Sequence, residues 1–196
     1  MEVSTELIVS LLLGMGLSAA VGFRIFVPLL ISSLGAYFFD FNLNESFSWI
    51  GTLPAVIIFG TATLLEIAAY FIPWFDNLLD TIATPAAFIA GTVVMAASMI
   101  EIDPLWMWAI AIIAGGGTAT LIKGSNSAVR ATSSLTTGGA GNPVIGAAES
   151  LMSIVLTILS FIIPVIVGVV VLLLLFIFSR KLIKWFKQRN QVESSS

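Results

Sequence analysis

Five ionised side chains stand within or beside strongly apolar stretches: Arg24, Glu66, Lys123, Arg130 and Glu149. On insertion scales each costs roughly 2.5 to 3.5 kcal/mol at a bilayer centre, so all five facing lipid would cost on the order of 10 kcal/mol, comparable to a domain's whole stability. They must be paired, hydrated or drawn to the interface. Arg24 with Glu66 is the first pair to expect, since both lie on early spans, and Lys123 or Arg130 with Glu149 is the second. Coupled charges of this kind suit the handling of a small ion, a proton or a solute. Snorkelling from helix ends is the plainer alternative for Glu66, Lys123 and Glu149; Arg24 and Arg130 are harder to place that way.

Lys123 and Arg130 belong to a Gly, Ser and Thr run from Gly115 to Pro143 that closes in Gly-Gly-Ala-Gly-Asn-Pro. Set between two apolar segments, such a run reads as unwound or re-entrant backbone lining a protein cavity, because lipid would leave its polar groups unsatisfied. Hydroxyls, amides and Asn142 around two cations would suit an anion, with a helix that starts at Pro143 aiming its amino end into the site. A cation or proton held at Glu66 and Glu149 is the other ligand to weigh. Gly115-Gly116-Gly117 also serves close helix packing. Asp76 and Asp80, one turn apart, read as a solvated interfacial pair and not as a metal site, for want of a third ligand nearby.

The chain has no His and no Cys. That removes the usual neutral-pH proton switch, thiolate nucleophiles, disulfides and the commonest metal ligand, leaving proton chemistry to carboxylates. The Gly-rich run lacks the spacing of a phosphate-binding loop. Catalysis, a cofactor and a metal are therefore not expected.

The elements that must hold these groups are membrane helices. The 196 residues are 58% hydrophobic and 10% charged, with mean hydropathy +1.08, against roughly 45 to 50% apolar and 25% charged for soluble domains. That length allows about five to seven crossings at some 20 residues each. The first residues carry acids and no base, unlike a cleaved signal peptide, so the first apolar segment is expected to be retained. Leu7 to Phe39 is too long for one upright crossing and too short for two comfortable ones. Gly22 and Pro28, flanking Arg24, mark the natural break.

Leu53 to Ile72 reads as a clear span with Glu66 near its end and Pro73 as its stop. Trp74 to Thr84 reads as a short amphipathic piece at the interface, and Pro85 as the start of the next span to Ile100. Glu101 to Pro104 makes an acidic turn before Leu105 to Ile122 returns, with Trp106 and Trp108 in an aromatic belt. Val144 to Phe178 is again too long for one straight crossing; Pro164, with no polar company, reads as a kink and not a turn. Five of the eight bases crowd into Arg180 to Arg189. By the positive-inside bias this tail is cytoplasmic and meets anionic headgroups, not nucleic acid. Gly14 and Gly22 are spaced like Gly116 and Gly124, which hints at two related halves of a transporter plan.

The chain resembles the small multi-pass bacterial membrane proteins called domain of unknown function 4126. The resemblance rests on Gly22-Phe-Arg24 with Phe26 and Pro28, on Glu66 with Ile72-Pro73, Asp76, Leu79, Asp80, Thr84 and Pro85, and on Arg130 with Ser133, Thr136-Thr137-Gly138-Gly139 and Gly141-Asn142-Pro143. It implies a purely membrane-embedded fold and carries no established activity.

The reading is thus an all-α polytopic transmembrane bundle with broken or re-entrant helices, one membrane domain over 1–179 and a basic cytoplasmic tail over 180–196. It is expected in a bacterial inner membrane as a transporter or channel for a small ion or solute, with Arg24, Glu66, Lys123, Arg130, Glu149 and Asn142 at the site. The alternative is a non-transporting protein that binds lipid or scaffolds partners. Expected partners are the bilayer, the small ion or solute and a second copy of the chain, with no nucleic acid.

Overall fold

The computed structural model describes residues 4–69, 73–100 and 102–193, the side chains of 73–81 and 182–193 excepted. Among them are eight α-helices, one 3-10 turn, one π segment and no strand. Four helices are long and apolar enough to cross a membrane, or five if the bent pair 45–51 and 53–69 counts as one span. The protein is an all-α, integral membrane bundle.

Helix α1 (Thr5–Phe23) is its axis. Ser4 caps it by accepting from the Leu7 amide, and every residue from Gly14 to Gly22 is buried. A helix small and apolar all round can be enclosed on every side, and α1 packs against α4 (Pro73–Ser98), α6 (Gly117–Thr137), α7 (Asn142–Ile162) and α8 (Pro164–Glu193). Its glycines set the approach distances. A Cβ on Gly14 would meet Met95 Sδ at 2.5 Å, one on Gly16 would collide with the Ser160 hydroxyl, and one on Gly22 would meet Ile122 Cβ at 2.5 Å.

The expected break at Arg24 is present, and the chain reverses there. Helix α2 (Phe26–Phe38) runs back toward the end where α1 began, so that Phe41 and Asn42, just beyond it, share a groove with Thr5 and Glu6. The 3-10 turn 45–51 packs beside α2 through Ser33 Oγ, which donates to Ile50 O. It then bends by 67° into α3 (Leu53–Ala69). Helix α3 descends beside α2 as far as Glu66, and Tyr70 to Ile72 lie outside the described residues.

Pro85 does not open a helix. It sits inside α4, which runs unbroken from Pro73; one missing internal hydrogen bond costs less here than unwinding a turn of backbone against lipid. The interfacial piece expected at Trp74 to Thr84 is therefore the first part of α4. The helix climbs antiparallel to α1, with Gly91 O accepting from Ser18 Oγ at 3.0 Å. Beyond it Asp103 caps α5 (Pro104–Ile110) by accepting from Leu105 N, while Glu101 of the expected acidic turn lies outside the described residues.

The largest correction concerns Gly115 to Pro143, which is not an unwound loop. From Pro104 through a π segment (Ala111–Gly116) to Thr137 the chain is helical for 34 residues, about 50 Å. Its hydroxyls explain the error. Thr120, Ser125, Thr132, Thr136 and Thr137 each donate to the carbonyl four residues earlier, so they are satisfied within the helix. Gly115 and Gly116 serve packing, since a Cβ on either would run into α4 at Gly91 O or Thr92 Oγ1, at 2.6 and 2.7 Å. Only 138–141 turns, with Gly138 and Gly139 at positive φ. Of the glycines spaced alike, Gly14 and Gly116 both pack closely on α4, against Met95 and Thr92, whereas Gly22 is tightly enclosed and a Cβ on Gly124 would meet nothing within 4 Å.

Helix α7 starts at Asn142 with Pro143 in its first turn, as expected. It ascends antiparallel to α1, with Ser153 beside Ala20 and Ser160 beside Gly16. Pro164 separates two helices meeting at Ile163, each long enough to span by itself, so the segment is more than one kinked crossing. Helix α8 meets α1 through Val167 and Gly168, against Gly16 and Leu12, and its backbone continues through the basic stretch to Glu193.

The bundle thus has two unlike ends. At one lie the start of α1, the 39–52 connection and residues 99–100 and 102–103, with Trp49, Trp106 and Trp108 exposed. At the other lie Arg24, Glu66, the start of α4 and the 138–141 turn.

Candidate functional site

All five ionisable groups singled out from the sequence are enclosed by protein at the Arg24 end. Arg24 and Lys123 are 1% exposed, Arg130 2%, Glu149 4% and Glu66 8%. Snorkelling therefore accounts for none of them, although Glu66 does stand in the last turn of α3.

The break between α1 and α2 organises the site. Arg24 is extended (φ −139°, ψ 126°) and Ile25 follows as the first residue of the new direction. The first amides of a helix have no partner in the helix itself. Those of Ile25 and Phe26 donate to the two carboxylate oxygens of Glu66, at 2.9 and 3.0 Å. Glu66, expected to pair with the Arg24 side chain, engages the backbone that follows Arg24, as an anion at a helix amino terminus, a favourable placement against the helix dipole. Arg24 itself reaches α7, where Nη2 donates to Gly146 O at 2.7 Å.

One turn beyond Gly146, Glu149 receives Arg130 as a fork. Arg130 Nε donates at 3.0 Å and Nη2 at 2.5 Å. Of the two cations weighed for Glu149, Arg130 is its ion-pair partner. Lys123 stands about two turns earlier on the same face of α6. Between them Asn126 donates to Gly22 O at 3.3 Å, holding α6 to the end of α1. A continuous chain of contacts therefore joins Glu66, the Ile25–Phe26 amides, Arg24, Gly146, Glu149 and Arg130.

Asn142 is peripheral and half-buried; its amide donates to Ser134 Oγ at 3.0 Å and helps close the 138–141 turn together with Gly141 N, which donates to Thr137 Oγ1. The side chains of Asp76 and Asp80 lie outside the described residues. Of the buried face of α7, sequence reasoning found Glu149 but missed Gly146, Ser153, Thr157 and Ser160; all five are directed at the bundle while Leu151, Ile158 and Ile162 face outward. The signal was available, because these five recur at three- and four-residue intervals. Their hydroxyls are satisfied by backbone, Ser153 by Ala20 O at 3.0 Å and Thr157 by Ser153 O at 2.7 Å.

Over residues 11–184 the chain matches the family model described as Domain of unknown function (DUF4126), and it belongs to that family. No curated protein and no solved structure matches it.

Proposed function

We propose, starting from membership of the DUF4126 family, that the protein is a transporter or channel for a small ion or solute, with its site at the α1–α2 break. The observation that carries this reading is the Glu66 carboxylate seated on the first amides of α2, beside a buried Arg24 that bridges to α7. Discontinuous helices whose ends are engaged by ionisable groups are a recurrent transporter arrangement, and buried intramembrane charges are costly enough to argue for use. In this account Glu66 and Arg24 engage the passing ion, and the Arg130–Glu149 pair fixes α6 against α7 around them.

The protein reconstituted in liposomes tests the reading. Proton, potassium and chloride fluxes are followed with a pH dye and a potential dye, in wild type, Glu66→Gln and Arg130→Ala. Flux above that of empty vesicles in wild type, reduced in both variants, supports transport. No flux in wild type, or unchanged flux in Arg130→Ala, sinks it.

A second reading, a non-transporting lipid-binding or scaffolding protein, draws on the closure of the Arg130–Glu149 fork and the full engagement of Glu66 by backbone. A lipid or partner that co-purifies in mild detergent, with flux absent, would favour it.

Charge asymmetry supports an orientation. The described residues at the amino-terminal end include Glu6, Asp40, Glu45 and Asp103 and no Lys or Arg. With α7 and α8 each crossing once, the tail from Arg180 emerges at the Arg24 end. The positive-inside bias makes that end cytoplasmic, as in a bacterial inner membrane. A carboxy-terminal reporter active only in the cytoplasm checks it.

A further inference from the structure

A groove of about 510 Å³ opens at the end of the bundle opposite the charged cluster. Val9 and Leu13 of α1, Ile100 after α4 and the rings of Phe41 and Phe161 supply its apolar wall, four hydroxyl or amide side chains interleave with them, and Glu6 is the one charged residue among the described lining. The wall is preset by packing. Phe41 lies flat on Gly35, where any Cβ would collide with its ring, and its centroid stands 4.5 Å from that of Phe161. A volume in this range fits a ligand of one alkyl chain or drug size, and apolar walls with several polar groups among them suit an amphiphile. The surrounding charge then selects the headgroup. Asp40, Glu45 and Asp103 lie on the same end as Glu6, and no described Lys or Arg shares those loops. An anionic head would be repelled by these carboxylates, whereas a cationic one is complementary.

We infer that this groove is a binding site for a single-chain amphiphile with a cationic head, its alkyl chain against Leu13, Phe41 and Phe161 and its head beside Glu6. The site is independent of the transport reading, because it lies at the other end of α1 and shares no residue with the charged cluster.

The test uses the full chain in nanodiscs of neutral lipid, with binding of decyltrimethylammonium, decyl maltoside and decanoate measured by calorimetry. The ammonium is expected to bind tightest, and Glu6→Gln to weaken it about threefold while leaving the maltoside unchanged, the size of one partly solvated charge interaction. Glu6 is exposed, so this variant folds. Val9→Trp, at a half-buried lining position, is expected to weaken all three by filling the groove. Equal binding of the three heads, the mark of ordinary boundary amphiphile, overturns the assignment. So does a Glu6→Gln variant that binds the ammonium as tightly as wild type, even if Val9→Trp reduces binding.

Discussion

Replacing Glu149 by Gln should destabilise the bundle far more than replacing Glu149 and Arg130 together by Met. The fork between them is 2% and 5% exposed and makes hydrogen bonds at 3.0 and 2.5 Å. Removing one partner leaves a buried charge whose main compensation is gone, a loss of about 3 to 5 kcal/mol. That corresponds to roughly a hundred- to several-thousandfold fall in the folded-to-unfolded ratio. The double variant removes both charges and refills the space with adaptable side chains, so its stability should lie within about 1 kcal/mol of wild type or above it, as for buried ion pairs elsewhere replaced by apolar groups. Unfolding free energies from denaturant titration in one mild detergent provide the assay, completed as a double-mutant cycle with Arg130→Met. Two results would refute the reasoning: a Glu149→Gln loss under about 1 kcal/mol, expected of an exposed pair, or additive single-variant losses in the double variant.

Glu66→Leu leaves two buried backbone amides without their acceptor and should cost about 2 to 4 kcal/mol, whereas Glu66→Gln, which keeps one acceptor, should cost less; hydrogen exchange at Ile25 and Phe26 should accelerate in the first more than in the second. Gly22→Ala drives a methyl into Ile122 and into Ala119 O, the latter a backbone atom 2.9 Å away, and should lower stability by about 1 to 3 kcal/mol. Gly124→Ala, with nothing within 4 Å, should raise it by about 0.5 to 1 kcal/mol; thermal midpoints of the two variants should move in opposite directions. Gly138→Ala, at φ 62°, should cost about 1 kcal/mol and slow the closure of the 138–141 turn seen by exchange at Gly141.

What could be read from the sequence follows the covalent rules of helix breaking and the cost of buried charge. Gly22, Arg24 and Pro28 announced the break, and Pro143 the start of α7, because the missing donor and the missing Cβ act locally. That Arg24, Glu66, Lys123, Arg130 and Glu149 avoid lipid followed from their insertion cost, but that cost alone did not separate enclosure from snorkelling for Glu66, Lys123 and Glu149, nor Arg130 from Lys123 as the partner of Glu149. What composition concealed was whether polar backbone is unwound or merely decorated. The Ser and Thr of α6 return their hydroxyls to carbonyls of the same helix, so a stretch that looks like a loop stays helical. Pro85 misled in the opposite direction, since at an exposed position of a long helix one lost bond costs less than unwinding a turn of backbone against lipid. The engagement of Glu66 with the Ile25 and Phe26 amides depends on the reversal at Arg24 bringing α3 alongside α2, 40 residues away, and no local pattern encodes that.

The most direct measurement is magic-angle-spinning NMR of the protein in bilayers, with 15N throughout and 13C at the Glu carboxyl carbons, reading carbon-to-nitrogen distances. One glutamate, Glu66, should lie within about 4 Å of two backbone amides, and another, Glu149, within about 4 Å of a guanidinium, with the second signal abolished by Arg130→Met. If every glutamate carboxyl instead stands beyond about 6 Å from all guanidinium nitrogens and non-adjacent amides, the charges are dispersed and the site described above does not exist.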